Sequence, residues 1–273
     1  MSYILAATDF SDVANNSLSF ACQLGADLNL KVVVFHTFII PVTFSDAPMP
    51  IMPLDEAKEI AEGRMAKIFD QLRKDHPKTI LESKIMFGDL MDCIDEYAEK
   101  EAPMFVVLGN SGLGGAALWL GSNVLSALRH SDFMVLAIPP NFDYKKPEKL
   151  CFACDFKHIA NHLNTDLFVK LIDYTHAQLH VLNIEKGQKD ATYDEMLEKS
   201  DLHLALRTLN PVYHYVEKEN VEEGIEDFLN DHQMDWLIIV PHKYSFFENI
   251  FHKSRTKAIM QKVALPLLAI HEK

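Results

Sequence analysis

The sequence predicts an α/β protein made of two copies of one unit, each an open parallel sheet covered by helices. Two observations lead to this prediction. Short apolar segments alternate with longer segments of helical periodicity, which is the pattern of a parallel sheet with helices on both of its faces. The second half also repeats the first, because LCFACDFKHIAN (150–161) can be laid on ILAATDFSDVAN (4–15) with Asp155 on Asp9. A repeat of this length indicates that a whole unit was duplicated.

The predicted strands of the first half are short and apolar, as strands buried on both faces should be. They are Tyr3–Thr8, Lys31–Phe38, Ile80–Phe87, Phe105–Leu108 and Met134–Ile138. The helices between them carry apolar residues at a spacing close to the helical period, and Asp55 is the expected N-cap of the second one. They are Ser11–Leu28, Asp55–Lys74, Met91–Lys100 and a helix that contains Val124–Leu128.

A linker separates the two copies. PPNFDYKKPEK has three prolines, three lysines and few apolar residues, a composition typical of a connecting segment. In the second copy, LHVLNI (179–184) is the counterpart of the second strand and VALPLLAI (263–270) is the counterpart of the last one. We therefore expect domains at 1–140 and 150–273, with a linker at 141–149.

The composition favours a globular protein of the cytoplasm. Of the 273 residues, 48% are hydrophobic and 24% are charged, which is enough apolar material for sizeable cores. The formal net charge of −13 repels the phosphates of nucleic acids and anionic lipids, so we expect neither as a partner. No apolar run approaches the ~20 residues of a membrane span, and MSYILAATDFS lacks the basic flank and cleavage site of a signal peptide.

The cysteines and histidines give weaker indications of chemistry. Cys151 and Cys154 stand in the apolar run LCFAC, where a strand points them to opposite faces, so we expect two buried thiols. A redox or metal-binding CxxC is the alternative. His158 and His162 have the spacing of one helix face, with Cys154 or Asp155 nearby as further metal ligands, but no glutamate lies between them as in an HExxH site.

Half of the glycines lie in one segment. VVLGNSGLGGAALWLGSN (106–123) holds five of the ten, between a strand and a helix, where a backbone often approaches a ligand closely. It lacks the lysine of a Walker A loop, and a GxGxxA pattern that begins at Gly112 follows the fourth strand without the acidic residue of a dinucleotide site. The remaining pattern is G-xx-G from Gly109, then eight residues, then Gly121 and Ser122.

Several segments together resemble the universal stress protein family. They are ATDFS after the first strand, VVFHTF as the second strand, LGNSG after the fourth, LGSN before a helix, and MVLAIPP as the closing strand. The resemblance covers both halves, so the chain is similar to a tandem member of that family. It implies two flavodoxin-like (adenine nucleotide alpha hydrolase-like) domains with open parallel sheets, paired through their last strands as an internal pseudo-dimer. In the nucleotide-binding branch of the family, the spacer between the G-xx-G element and the Gly-Ser element that follows it is one residue longer than the spacer between Gly112 and Gly121 in this chain.

The resemblance implies a site in the first copy for ATP, or a related adenine nucleotide, as a regulatory ligand in a stress response. The implied site residues are Ala7, Thr8, Asp9, Thr37, Leu108, Gly109, Ser111, Gly112, Gly121, Ser122 and Asn123. Asp9 would receive the adenine edge beside the Thr37 backbone, while the N–H groups at 121–123 would hold phosphate at a helix N-terminus. Mg²⁺ or Mn²⁺ would be bound mainly by phosphate oxygens. No catalytic residue is expected, so ATP hydrolysis would be slow at most; a homodimer and further protein partners are compatible with the family.

Two features favour other interpretations. The glycines can serve only to pack a helix on a strand, with Asp9 as a helix cap; the chain would then be an interaction module of the same fold that binds protein partners and no nucleotide. The second copy has lost the loop, since Pro241 and Tyr244 replace Gly109 and Gly112, and we expect no ATP there. Its replacement segment YSFFENIFHKSR carries an aromatic stripe on one helical face.

Overall fold

The structure is a computed structural model that describes residues 2–40, 53–109, 122–155, 163–185, 193–241 and 265–272. The chain divides into two compact units, Met1–Gly109 and Asn110–Lys273. This division is made by contacts and differs from the sequence repeat, whose boundaries at 1–140 and 150–273 remain a prediction. The glycine segment from 110 to 121 and the aromatic stripe of the second copy lie outside the described residues.

Unit 1 is a parallel sheet with helices between its strands. Its elements are β1 (Tyr3–Ala7), α1 (Asp12–Leu28), β2 (Lys31–Phe38), α2 (Leu54–Asp75), β3 (Leu81–Phe87), α3 (Leu90–Ala98) and β4 (Phe105–Gly109). The strand order is β3-β2-β1-β4, and every pair in it is parallel. All of these elements begin and end within two residues of their predicted bounds. The carboxyl ends of the strands therefore lie along one edge of the sheet.

The helix ends of unit 1 follow local chemistry. Ser11 is the N-cap of α1, and its hydroxyl accepts the backbone N–H of Ala14, as capping serines commonly do. The predicted N-cap of α2 is wrong: Pro53 occupies that position, and Asp55 lies in the first turn. There its carboxylate lies near the positive, N-terminal end of the helix dipole but does not cap the helix. Proline imposes an extended entry to the helix, and this constraint overrides the capping preference of aspartate.

Unit 2 has the same alternation of strands and helices. Its elements are α4 (Ser122–His130), β5 (Val135–Ile138), β6 (Lys149–Ala153), α5 (Thr165–Thr175), β7 (Gln178–Glu185), α6 (Tyr193–Leu206), a short 3₁₀ helix (Arg207–Leu209), β8 (Val212–Glu217), α7 (Val221–Asp231), β9 (Trp236–Ile239) and β10 (Leu267–Ala269). The strand order is β5-β10-β9-β6-β7-β8. The described pairs are parallel except β5 with β10, which is antiparallel with Leu136 opposite Leu268.

The antiparallel pair is where the two sequence copies join. β5 closes the first copy and β10 closes the second, so equivalent strands pair with each other in opposite directions. A twofold relation between two copies produces this arrangement, because each last strand then meets its own equivalent. The predicted α/β fold, with open parallel sheets and pairing through the last strands, is confirmed.

Side-chain contacts repeat between the copies as well. In unit 1, the ring of His36 donates a hydrogen bond from Nδ1 to the carbonyl of Thr8 at 2.7 Å. In unit 2, Asn183 donates from Nδ2 to the carbonyl of Cys154 at 2.9 Å. Thr8 and Cys154 hold the same place just after the first strand of their copies, so His36 and Asn183 are structurally equivalent.

The thiols of the CxxC are buried, as the sequence predicts. Cys151 and Cys154 both carry buried thiols, and burial raises the pKa of the Cys151 thiol. Within the described ranges, no three His, Cys, Asp or Glu side chains converge as a metal site. His158 and His162 lie outside those ranges. Among the described helices, none is long and apolar enough to cross a membrane.

Candidate functional site

The turn after β1 brings the first predicted site residues to the carboxyl edge of the unit 1 sheet. Ala7 ends the strand, and Thr8 remains buried. The hydroxyl of Thr8 accepts the N–H of Phe10 at 2.9 Å, and Oδ1 of Asp9 accepts the N–H of Ser11 at 3.0 Å. These two bonds are local side-chain turns that fix the direction in which the chain leaves the strand.

Asp9 presents an exposed carboxylate at this edge. The sequence leaves open that Asp9 merely caps the helix that follows. That role is wrong, because Ser11 is the N-cap of α1 and Asp9 bonds the N–H of Ser11 itself. Asp9 therefore lies just before the N-cap of the helix. In the described part of the chain, its second carboxylate oxygen, Oδ2, has no hydrogen-bond partner. Such a group can accept a hydrogen bond from a ligand amine.

Phe10 adopts an unusual backbone conformation in this turn. Its φ of 68° lies in the left-handed region, which costs a bulky residue about 1–3 kcal/mol. The hydrogen bonds of Thr8 and Asp9 flank it, and its ring packs on that of His36 with centroids 4.1 Å apart. The turn is thus held by contacts on both sides, which is how strained backbone persists at functional sites.

His36 links β2 to this turn. Because a carbonyl can only accept, Nδ1 of His36 carries the proton in its bond to Thr8. Burial lowers the pKa of His36; the Thr8 bond and the Asp9 charge oppose this effect, and the cation of Arg64 adds to it. The ring is therefore held neutral in a fixed tautomer.

Arg64 is a residue near this site that the sequence analysis missed. It lies on α2 and is exposed, and its positive charge reaches the His36 ring. No local motif marks it, since it is one of several charged residues on an amphipathic helix. Only the packing of α2 against the sheet brings its charge towards Asp9 and His36.

Thr37 lies near the carboxyl end of β2. The carbonyl of Phe35 accepts the N–H of Thr8 at 2.8 Å, so the backbone of Phe35 faces β1. Alternate residues of a strand direct their backbone groups to the same neighbour, so the backbone of Thr37 faces the same side, just beyond the end of β1. The backbone N–H and carbonyl of Thr37 therefore lie at the same carboxyl edge of the sheet as the turn after β1.

Gly109 ends β4 at the same edge, and its lack of a side chain has a packing reason. A Cβ atom there would lie 2.9 Å from Oγ of Ser17, 2.9 Å from the carbonyl oxygen of Val13 and 3.2 Å from Cα of Ala14. Leu108 before it is buried. The first glycine of the loop is thus required by the contact of β4 with α1.

The remaining predicted site residues are described in part or not at all. Ser111, Gly112 and Gly121 lie outside the described residues, while Ser122 and Asn123 begin α4 without described side chains. The structure therefore brings Ala7, Thr8, Asp9, Thr37, Leu108 and Gly109 to one edge of the unit 1 sheet. Ligands of open parallel sheets bind beyond this edge.

Comparison with known families agrees with this geometry. The family model of the universal stress protein family matches residues 1–139. The chain belongs to the universal stress protein family. No curated protein sequence matches the chain.

Two solved universal stress proteins have a similar fold over nearly the full length of the chain. One from Archaeoglobus fulgidus DSM 4304 is 14% identical with a TM-score of 0.70, over 98% of this chain and 98% of that chain. A putative universal stress protein from Pseudomonas aeruginosa UCBPP-PA14 is 10% identical with a TM-score of 0.58, over 100% and 94%. A universal stress protein in complex with cAMP is 23% identical with a TM-score of 0.40, over 51% and 98%. At the identities of the first two, the likeness is one of fold.

Proposed function

We propose that the first copy of this universal stress protein binds an adenine nucleotide, ATP or a relative of it, as a regulatory ligand. The observation that carries the proposal is the turn at Thr8–Asp9. Its hydrogen bonds hold an exposed carboxylate at the carboxyl edge of a parallel sheet, an edge that the backbone of Thr37 also reaches on the neighbouring strand. A carboxylate next to a backbone donor and acceptor matches the hydrogen-bonding edge of adenine.

The family resemblance assigns the other parts of the ligand. The phosphates belong to the loop that begins at Gly109 and to the N–H groups of Ser122 and Asn123, which open a helix and so lie at its positive end. A divalent cation, Mg²⁺ or Mn²⁺, would be held by phosphate oxygens, because those are its preferred ligands.

The proposed role is regulatory rather than catalytic. His36 is the imidazole of the site, and its Nδ1 proton is committed to the Thr8 carbonyl. Its place on β2, bonded to the carbonyl of Thr8, makes it a residue that positions the turn in which Asp9 lies. The proposal assigns no group as a general base towards an attacking water.

Ligand-dependent thermal unfolding of the full chain tests the proposal. Mg-ATP, AMP and cAMP are compared with Mg-GTP, since guanine presents a different edge to Asp9. A ligand at a hundred times its Kd stabilises the folded state by about 2.7 kcal/mol, so adenine nucleotides should raise Tm and GTP should not.

The variant Asp9→Asn should reduce this rise strongly, because an amide presents one acceptor where the carboxylate presents two. Asp12→Asn is the matched control: it removes the same charge from the exposed first turn of α1 and should keep the full ligand effect. If saturating adenine nucleotides leave Tm of the native chain unchanged, the interaction module that binds only protein partners becomes the better description.

A further inference from the structure

A groove in unit 1 lies outside the turn that holds Asp9. It runs between α2 and the outer strands β2 and β3, and has a volume of about 780 Å³. The side chains that shape it are Phe38, Ser83, Ile85 and Phe87 on the strands and Met65 and Phe69 on the helix. Pockets for small molecules commonly enclose about 300–1,000 Å³. The volume of the groove lies within this range.

The walls of the groove leave large apolar side chains in water. Phe87 is 55% exposed and Leu54 is 46% exposed. The rings of Phe38 and Phe87 meet edge to face with centroids 5.6 Å apart, which leaves their outer surfaces to the groove. Exposed apolar surface that forms a concave patch indicates a contact for another molecule.

The second copy shows what fills the equivalent space. His36 and Asn183 are equivalent, and in the sheet register His36 is opposite Ile85 while Asn183 is opposite Tyr215. Ile85 and Tyr215 therefore hold the same position of the outer strand in the two copies. The residues before Ile85 in β3 and before Tyr215 in β8 can then be matched one by one. Side chains of a strand alternate between its two faces, so matched residues lie on the same face.

Two residues earlier on the same face, unit 1 has Ser83 and unit 2 has Tyr213. The ring of Tyr213 stacks on the ring of His203 of α6, with centroids 3.7 Å apart and planes at 17°. His203 is fixed in turn by a 2.9 Å hydrogen bond between its Nε2 and the hydroxyl of Tyr215. In unit 2, planar rings thus fill the space between helix and outer strand, where unit 1 has a serine and an open groove.

We propose that this groove is a binding site for a planar aromatic or heteroaromatic small molecule. The ring of that molecule takes the place in unit 1 that the Tyr213 ring takes in unit 2. Phe38, Phe69 and Phe87 supply aromatic walls, and rings pair well in offset and edge-to-face arrangements. The groove is also lined by charges of both signs, which are Asp55, Glu62 and Asp70 with Lys58 and Lys84, so we assign recognition to the aromatic walls and a neutral ring.

Binding of Nile red, a neutral planar dye whose emission reports the polarity around it, tests this site on the full chain. The native chain should bind one equivalent in a saturable way, with blue-shifted emission. Ser83→Tyr supplies the ring that the second copy has, and should weaken dye binding by at least about tenfold because it fills the groove. Glu82→Tyr is the matched control, since the neighbouring residue points to the opposite face of the sheet and should leave the dye affinity unchanged.

A second variant covers the case in which Ser83→Tyr does not fold. Phe69→Ala removes one aromatic wall and adds no volume, so it should also weaken binding of the dye by at least about tenfold. Absence of saturable binding to the native chain would overturn the proposal. So would full binding to a folded Ser83→Tyr chain, or stoichiometric displacement of the dye by Mg-ATP, which would place the dye in the nucleotide site.

Discussion

At the residue scale, Gly109 shows that one glycine can serve both packing and ligand binding. Its missing Cβ is required by Val13 and Ser17 of α1, so this position would be glycine in a protein with no ligand at all. The glycine segment as a whole is therefore weaker evidence for a nucleotide than its composition indicates. The evidence that remains is the turn at Asp9, which no packing contact of α1 explains.

Replacing Gly109 by alanine should destabilise the fold by about 1–3 kcal/mol, the usual cost of forcing an extra carbon into a packed contact. Backbone atoms of α1 close two sides of the site, so the neighbours have little freedom to move away. Gly63→Ala is the control, because nothing lies within 4 Å of its added carbon and alanine stabilises a helix by about 1 kcal/mol relative to glycine. Urea unfolding of both variants measures the free energy of unfolding, which should fall for Gly109→Ala and rise for Gly63→Ala. Equal changes in the two variants would contradict the packing role of Gly109.

At the element scale, β7 and β8 are joined by a pair of histidines. Nδ1 of His180 lies 3.0 Å from Nε2 of His214, and the two rings stack at 16°. One nitrogen must donate and the other accept, so the pair is formed only while at least one ring is neutral. The other charged groups that act on His180 are Lys149 of β6 and His232 beyond α7, and both are positive when protonated.

Stability of unit 2 should fall in mild acid for this reason. Burial lowers the pKa of His180 to about 4, with His214, Lys149 and His232 adding to the effect; burial and His232 lower the pKa of His214. An unfolded histidine titrates near its ordinary pKa of about 6.5. As pH falls from about 6.5 to about 4, the unfolded chain binds protons that the folded chain does not, so folding free energy is lost in that window.

The midpoint of urea unfolding, measured at a series of pH values, checks this expectation. His180→Gln removes the titrating group and keeps a polar side chain, so the fall between about pH 6.5 and 4 should become shallower than in the native chain. His176→Asn is the control: it removes one exposed histidine from the left-handed C-cap of α5, a conformation that asparagine tolerates. Identical pH profiles for the native and His180→Gln chains would show that the pair does not control acid stability.

At the scale of the whole molecule, the sequence predicted the elements well and the contacts between them poorly. Apolar periodicity is a local property, which is why β2 was predicted at its observed bounds, Lys31–Phe38. The repeat of ATDFS-like residues predicted two copies, and the pairing of β5 with β10 agrees with it. The Asp55 cap failed because a proline two residues earlier set the helix start.

Features that depend on distant residues had no signal in the sequence. His180 and His214 are far apart in the chain and meet only because β7 and β8 are neighbours. The charge of Arg64 reaches His36 only through the packing of α2. The groove depends on a difference between Ser83 and Tyr213, which becomes visible once the strand register shows that they are equivalent.

The linker between the copies is fixed by one carboxylate. Asp235 is only 9% exposed, and it accepts the ammonium group of Lys145 at 2.9 Å and the backbone N–H groups of Glu148 and Lys149 at 2.7 and 2.9 Å. Residues 139–148 form no helix or strand, so these bonds replace regular structure in holding the segment that enters β6. Removing the carboxylate leaves the two N–H groups without their acceptor.

Asp235→Ala should therefore lower the free energy of unfolding by about 3 kcal/mol, since several hydrogen bonds to one charged group are lost together. It should also expose the linker to protease, because Lys145 and Lys146 lie in a segment that is then held less tightly. Trypsin digestion under native conditions measures this as faster cleavage after Lys145, since Pro147 blocks cleavage after Lys146. Asp231→Ala, at the exposed end of α7, is the control and should be cut at the native rate. Equal rates for the two variants would mean that the linker is held by contacts other than Asp235.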